Sequence, residues 1–335
     1  MLASIETKKN NFKVVPILLI YMILLIYNCS LINAQSSLST DRNQQQGDDY
    51  LNQIFNSRDG INVAPVQHKW LDVPYATLSP AEKLDIYLPN EGKGPFPIIV
   101  AIHGGSFIKG DKRDFQIVPM MEALNRGYAV VSINYRLSGE AKFPSQINDV
   151  KAAIRWIRAN AEKYTLNSEK IAVWGDSAGG NLAALIGTSG NVKELEDLSM
   201  GNPTQSSRVD AVVDWYGPIN FLTLGDQLQR NMQNDRRSNS SYIGKTRDEA
   251  PELYMAASPE TYIRPDNPPF FIQHGNADKI IPLRQSIDFA VKLENVLGKN
   301  KVFFQIIDGA NHLDDKFTTP ENINKVLDFL DRYLK

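Results

Sequence analysis

One serine in this chain has neighbours that suit a nucleophile. Ser177 stands at the centre of residues 175–179, GDSAG, which fit the pattern G-x-S-x-G. The apolar run before it (residues 170–174) predicts a β-strand, and the run after it (residues 180–186) predicts a helix. Glycines on both sides permit a tight, strained turn, because they need little space and tolerate unusual backbone angles. The sequence therefore predicts that the Ser177 hydroxyl projects from a strand–turn–helix junction, near the free N–H groups of the helix.

A serine hydroxyl is a weak nucleophile, so it needs a base, and the base needs an acid that orients it. The chain supplies Asp278 and then His312 after Ser177, which is the order expected for a serine at such a junction. Asp278 ends the segment HGNAD and His312 ends DGANH, and each segment follows a predicted strand. Ligands bind at the carboxyl ends of strands in open α/β sheets. We therefore predict a catalytic triad of Ser177, His312 and Asp278.

Other side chains compete for these roles. His103 and His274 are alternatives to His312 as the base, but we expect His103 to brace a glycine loop and His274 to have a structural role at a strand end. Asp176, beside the serine, is expected to stabilise the turn. Three further acidic residues near the histidine in sequence could supply the acid in place of Asp278: Asp308, Asp314 and Asp315.

A second glycine-containing loop suits the binding of a developing negative charge. His103-Gly104-Gly105-Ser106 follows the predicted strand that ends at Ile102. Glycines let backbone N–H groups turn toward such an oxygen. We expect an oxyanion hole whose donors are the N–H groups of three residues: Gly105, Ser106 and Ala178. In enzymes where one such donor was removed, the rate fell by roughly 10²–10³.

Three aromatic residues near these segments are candidates for substrate binding: Phe107, Trp215 and Tyr216. Packing in the core, or in the shell around the site, is an equally good interpretation of each.

The elements that must position these residues alternate between strands and helices. Leu84–Leu88 alternates apolar and polar residues, which predicts an antiparallel strand near the sheet edge. Pro144 opens a helix with one apolar stripe, and Thr319 can cap a last helix that has Pro320 at its first position. This order predicts an α/β fold with a doubly wound, mostly parallel sheet and helices on both faces. The buried strands are predicted at Pro97–Ile102, Tyr128–Ile133, Ile171–Trp174, Ala211–Trp215, Pro269–Gln273 and Val302–Ile307.

The catalytic domain is predicted to cover residues 63–335. One segment interrupts its alternation, and residues of about 219–265 are expected to form a small, polar cap inserted over the site. Residues 35–62 begin with a polar, Gln-rich stretch, which we interpret as a disordered leader.

The amino-terminal segment has the pattern of a secretory signal peptide over residues 1–34. Lys8, Lys9 and Lys13 precede an apolar run from Val14 to Tyr27, and the small residue Ala34 is a suitable cleavage point. The run is short for a full membrane span. We therefore expect a secreted or extracytoplasmic protein with no stable membrane insertion, the alternative being an uncleaved membrane anchor.

Composition limits the remaining classes. The chain has 335 residues and a net charge of −2, which provides no electrostatic reason to bind nucleic acid. Its single cysteine, Cys29, lies in the predicted signal peptide, so the mature chain would have neither a cysteine nucleophile nor a disulfide. The four histidines lack H-x-x-x-H spacing, and we expect no metal site.

Five motifs together resemble the esterase/lipase branch of the α/β-hydrolase superfamily: HGGSF at 103–107, NYRL at 134–137, GDSAGGN at 175–181, HGNAD at 274–278 and GANH at 309–312. The resemblance covers roughly residues 68–335. WYGP at 215–218 and ASP at 257–259 resemble carboxylesterases grouped with acetyl-xylan and feruloyl esterases.

The resemblance implies hydrolysis of small-molecule or polymer-attached carboxylic esters, through an acyl-enzyme and without a cofactor. Short-chain, acetyl and feruloyl esters are the expected substrates. A peptidase, amidase, lactonase or formamidase activity on the same scaffold is an alternative. A non-catalytic binding protein on a hydrolase scaffold is an alternative of another class, although such proteins lose triad members and this chain has all three.

Overall fold

A computed structural model of the chain describes residues 49–228 and 239–335. The predicted signal peptide, residues 35–48 of the predicted leader and residues 229–238 of the predicted cap lie outside the described residues.

The described strands form one sheet of eight strands in the order β1-β2-β4-β3-β5-β6-β7-β8. β2 pairs antiparallel with β1 and with β4, and the other pairs are parallel. The predicted mostly parallel α/β sheet is confirmed. The strands are β1 (Lys69–Pro74), β2 (Lys83–Tyr87), β3 (Phe96–Ile102), β4 (Ala129–Ile133), β5 (Leu166–Asp176), β6 (Ala211–Trp215), β7 (Phe270–Gly275) and β8 (Val302–Ile307).

The α-helices are α1 (residues 49–57), α2 (Ser145–Ala159), α3 (Ala178–Thr188), α4 (Phe221–Gln227), α5 (Asn239–Ile243), α6 (Pro251–Ala256), α7 (Arg284–Leu297) and α8 (Pro320–Leu334). The 3₁₀ helices are Phe115–Arg126, Glu162–Tyr164, Lys193–Leu195, Leu198–Met200, Pro259–Tyr262, Lys299–Lys301 and Asp315–Thr318.

Helices cover both faces of the sheet. Successive residues of the buried strands point to opposite faces, and those on each face are apolar. Ile98 and Val100 of β3 belong to one core cluster, which includes residues of α2, α3 and α7. Ile99 and Ala101 point to the other cluster, which includes residues of Phe115–Arg126 and α8. This two-sided burial is typical of central parallel strands.

The last helix begins and packs as its sequence predicts. The Thr319 hydroxyl accepts a hydrogen bond from the N–H of Asn322, and Pro320 occupies the first turn, where a missing N–H costs nothing. The predicted apolar stripe is buried against the sheet: Ile323, Leu327, Leu330 and Leu334.

The structure differs from the predicted leader over residues 49–62, which we call the strap. The strap starts with α1, in which Ile54 is buried and Tyr50, Leu51 and Phe55 pack against the core. These four residues recur at helical spacing on one face, and burial of that face outweighs the polarity of the surrounding segment. The folded domain therefore includes residues from Asp49 onward rather than from Val63.

Between β6 and β7 the described part of the predicted cap contains α4, α5, α6 and the 3₁₀ helix Pro259–Tyr262. Tyr242 of α5 is buried, and its ring stacks on the ring of Phe107 at 3.7 Å between centroids. No helix in the described residues is both long enough and apolar enough to span a bilayer.

Candidate active site

Ser177 lies at a sharp turn between β5 and α3. Its φ of 52° and ψ of −120° are strained for a residue with a side chain. The turn is possible because glycine stands where backbone approaches backbone: a Cβ on Gly175 would lie 2.1 Å from the carbonyl oxygen of Gly179. The N–H of Ser177 donates to the carbonyl of Trp215, at 2.9 Å, which ties the turn to the end of β6.

The side chains of Ser177, His312 and Asp278 form one hydrogen-bonded chain. His312 Nε2 lies 2.9 Å from Ser177 Oγ, and His312 Nδ1 lies 2.7 Å from Asp278 Oδ2. With its proton on Nδ1, the ring donates to Asp278 and accepts from the serine hydroxyl through Nε2. The structure thus brings together three residues that lie after three different strands, and this arrangement suits proton transfer from the serine.

Asp278 is held as an anion. Its Oδ1 accepts hydrogen bonds from the N–H groups of Ile280 and Ile281, both at 2.8 Å. Burial alone would raise the pKa of Asp278, but the charges and hydrogen bonds of His312 and His274 outweigh it and hold the pKa well below its usual value. A buried carboxylate of this kind can orient the imidazole and stabilise its protonated form.

The loop after β3 lies against the nucleophile. A Cβ on Gly104 would be 3.1 Å from the Cβ of Ser177. Gly105, Ser106 and Phe107 all have positive φ, of 107°, 56° and 61°, so the chain turns sharply here. Within the described residues, the N–H groups of Gly105 and Ser106 donate no hydrogen bond, whereas the N–H of Gly104 donates to Asp176. The two free donors can therefore serve an oxygen bound beside Ser177.

Residues 84–293 match the family BD-FAE. This chain belongs to the BD-FAE family. Its fold is that of the α/β-hydrolase esterases.

Three relatives illustrate the likeness of this BD-FAE chain. A probable carboxylic ester hydrolase of Mycobacterium tuberculosis, LipM, is 32% identical over 238 residues, which are 70% of this chain and 54% of LipM. A bifunctional GH43-CE structure from Bacteroides eggerthii is 37% identical with a TM-score of 0.73, over 79% of this chain and 35% of its own. A truncated carbohydrate esterase from gut microbiota is 31% identical with a TM-score of 0.75, over 82% of this chain and 98% of its own. The chain spans little more than half the length of the curated relatives it matches.

The competing histidines of this BD-FAE member have other partners. His103 Nδ1 lies 2.8 Å from the carbonyl of Gly104, and its ring stacks on Tyr135, whose hydroxyl donates to the His103 carbonyl. His274 Nδ1 lies 2.8 Å from Ser286 Oγ, and its Nε2 is 3.3 Å from Asp278. His103 thus braces the glycine loop, and His274 helps to hold the acid.

The competing aspartates are also engaged away from the ring. Asp308 accepts a hydrogen bond from the Asn276 amide, Asp314 caps the turn at Lys316, and Asp315 pairs with Arg58. Asp278 is the carboxylate that meets His312 because β7 and β8 are neighbours in the sheet.

Trp215 and Tyr216 are among the lining residues of a cavity of about 440 Å³ in this BD-FAE chain, whereas Ser177, His312 and Asp278 are not. The ring of Tyr216 lies 4.7 Å from that of His312 between centroids, so the cavity wall contacts the site. Phe107 lies instead in the stack with Tyr242. Two cavity residues that no motif of the sequence indicates, Arg58 and Asp59, belong to the strap. The helical spacing of Tyr50, Leu51, Ile54 and Phe55 is the signal that could have indicated their segment.

Metal ligands are not clustered in the described residues: no group of three or more His, Cys, Asp or Glu side chains is arranged to hold an ion.

Proposed function

We propose that this protein is a carboxylic ester hydrolase in which Ser177 is the nucleophile, His312 the general base and Asp278 the acid that orients the base. The observation that carries the proposal is the continuous hydrogen-bonded chain of these three side chains at a strained strand–turn–helix junction. The names of the M. tuberculosis and gut-microbiota relatives support the same reaction class.

In the proposed reaction, Ser177 Oγ attacks the ester carbonyl while His312 Nε2 takes the serine proton. The carbonyl oxygen becomes an anion that the N–H groups of Gly105, Ser106 and Ala178 stabilise. Collapse of this intermediate breaks the ester C–O bond, and His312 returns its proton to the departing alcohol. A water molecule, deprotonated by His312, then attacks the acyl-enzyme and releases the acid, so that Ser177 regains its proton.

For the substrate, we propose short-chain esters, with acetyl and feruloyl groups as the acyl part, on small molecules or on polymers. The motif resemblance at residues 215–218 and 257–259 supports this proposal. Two of the structural relatives are described as a carbohydrate esterase and as a bifunctional GH43-CE protein, which is consistent with a carbohydrate as the alcohol part.

The test is hydrolysis of p-nitrophenyl esters from acetyl to palmitoyl, followed by acetylated and feruloylated oligosaccharides. Ser177→Ala is expected to lower kcat on the order of 10⁴-fold or more, because the nucleophile is lost while the binding groups remain. Ser168→Ala, at the opposite end of β5, is the matched control and should retain the wild-type rate.

The chain-length profile tests the substrate class. A maximum at acetyl to butyryl esters is expected, and a maximum at long chains would contradict the short-chain proposal. Wild-type turnover that persists in Ser177→Ala, or turnover of amides and formamides but not esters, would overturn the proposed reaction.

We also propose that the protein is exported, with residues 1–34 as a signal peptide removed after Ala34. The lysines before the apolar run and the small residue at its end support this proposal. Retention of the segment as a membrane anchor is the alternative.

A further inference from the structure

The strap crosses both loops of the proposed active site. One side of it meets the loop that carries His312, and the other meets the end of the glycine loop. The contacts are made by side chains of the strap with backbone and side-chain atoms 50 or more residues away.

On the histidine side, the strap binds two successive backbone carbonyls. Tyr50 Oη donates to the carbonyl of His312 itself, at 2.7 Å. Arg58 Nη1 donates to the carbonyl of Leu313, at 3.1 Å, and Arg58 Nη2 pairs with Asp315 at 2.7 Å. The strap therefore holds the backbone that carries the base at two points, the carbonyls of His312 and Leu313.

This part of the loop needs such support, because Leu313 has a φ of 59°. Positive φ is unfavourable for a residue with a Cβ, so contacts from outside the loop help to hold this conformation. Burial raises the pKa of the Tyr50 phenol, and the charge of Asp314 raises it further, so the hydroxyl remains a donor at neutral pH.

On the glycine-loop side, Lys109 Nζ donates to Asn52 Oδ1 at 2.8 Å and lies 4.2 Å from the centroid of the Phe55 ring. The N–H of Lys109 donates to the carbonyl of Gly105, which is the residue that we propose as an oxyanion donor. The carboxyl-terminal end of the strap is also held, since the N–H of Ile61 donates to the carbonyl of Arg113 at 2.8 Å.

We propose that the strap is a positioning element of the active site, and that Tyr50 and Arg58 are positioning residues that keep the His312 imidazole in line with Ser177. The inference rests on the proposed ester hydrolysis for its kinetic effect. Tyr50 and Arg58 bind the backbone that carries the base, so we expect them to act through His312.

The experiment compares Tyr50→Phe with Tyr333→Phe. Both tyrosines donate one hydrogen bond to a backbone carbonyl, but Tyr333 binds Asn300, away from the site. Tyr50→Phe is expected to lower kcat about tenfold with KM within about twofold, because a small displacement of the base costs rate rather than affinity. Tyr333→Phe should leave both constants within about twofold.

Arg58→Gln and Arg208→Gln form a second matched pair. Each arginine binds one carboxylate and one backbone carbonyl, Arg58 at the histidine loop and Arg208 at Asp266, near the start of β7. Arg58→Gln should lower kcat in the same way as Tyr50→Phe, and Arg208→Gln should not.

Hydrogen exchange of the backbone amides in residues 308–316 is a readout that needs no ester substrate. Loss of one hydrogen bond of about 1 kcal/mol is expected to raise exchange there about fivefold in Tyr50→Phe and Arg58→Gln. If wild-type protein has no Ser177-dependent turnover, the proposed function fails while the exchange data still decide the role of the strap. Unchanged exchange and kcat in folded Tyr50→Phe and Arg58→Gln, or equal changes in the control variants, would overturn the inference.

Discussion

Two buried aspartates near Ser177, Asp278 and Asp176, have pKa values shifted in opposite directions by their surroundings. Asp278 accepts from two backbone N–H groups and faces two imidazoles, and its pKa is held low. Asp176 accepts from the Gly104 N–H and the Gln116 amide, and burial raises its pKa to about 7. The two imidazoles beside Asp278, which Asp176 lacks, account for the opposite directions of the two pKa shifts.

The raised pKa of Asp176 makes stability depend on pH. Because its folded pKa of about 7 exceeds the unfolded value of 3.8, the folded state binds more protons between these pH values. The Asp176 contribution is fully present below about pH 4 and is lost as the pH rises to about 7, at no more than ~1.4 kcal/mol per pH unit. Asp176→Asn should therefore become more stable relative to wild type across this window, as measured by urea unfolding at several pH values.

An asparagine at position 176 can still be paired. Gln116 Oε1 is buried without a hydrogen bond in the described residues. If the side-chain amide of Gln116 rotates by about 180°, this oxygen can accept from the Nδ2 of the new asparagine. Asp214, whose pKa burial also raises to about 7, is a second probe, and Asp214→Asn should show the same trend. A stability difference that is flat or falls between pH 4 and 7 for both variants would contradict this account.

At the scale of elements, the turn at Ser177 depends on how closely α3 approaches β3. A Cβ on Gly179, in the first turn of α3, would lie 2.1 Å from the carbonyl oxygen of Ile102 and 2.7 Å from that of His103. The helix that supplies the Ala178 N–H therefore sits directly on the strand that leads into the glycine loop. The absence of a side chain at Gly179 therefore sets the distance between α3 and the glycine loop, the two segments that carry the proposed oxyanion donors.

Gly179→Ala should disturb this contact. The methyl group forces α3 away from β3, and we expect a loss of stability of about 1–3 kcal/mol together with at least a tenfold loss in kcat. Thermal unfolding and ester hydrolysis measure the two effects. Gly139→Ala is the control, since a Cβ there meets nothing within 4 Å. Gly179→Ala that matched Gly139→Ala in both measurements would show that the contact does not matter.

Elements with a strong local pattern were predictable. The central strands are uninterrupted apolar runs, and α2 and α8 have apolar stripes at three- and four-residue steps. α1 was not predicted, because its four apolar residues stand next to a polar, Gln-rich stretch and pack against partners far along the chain. The hydrogen bond of Tyr50 to the carbonyl of His312 is one such contact.

At the scale of the whole molecule, strand order assembles the site. β3 and β5 are neighbours, which sets the glycine loop beside Ser177, and β7 and β8 are neighbours, which sets Asp278 beside His312. All four strands are parallel, so their carboxyl ends lie at one edge of the sheet. Four segments that are distant in sequence thereby meet at one edge of the sheet. No local sequence pattern in any one of them specifies that meeting.

The proposed export concerns the whole chain, and it predicts a defined mature terminus. Protein collected outside cells of a secreting host should begin at Gln35, because cleavage after Ala34 removes the positive and apolar segments. Amino-terminal sequencing or intact mass measures this. Protein that stays in the membrane fraction with residues 1–34 attached would support the anchor instead.

The sequence by itself determined the fold class and predicted the three residues of the proposed triad, with three other aspartates as alternatives for the acid. Strand and helix periods are local properties, and the chain order of Ser177, Asp278 and His312 is visible without coordinates. Only the tertiary structure decided that Asp278, and none of Asp308, Asp314 or Asp315, reaches the imidazole, since that depends on which strands are neighbours. Likewise, only the tertiary structure showed that Tyr50 binds His312, 262 residues away. A contact between distant segments produces no periodic pattern in the sequence, so it could not be predicted from one.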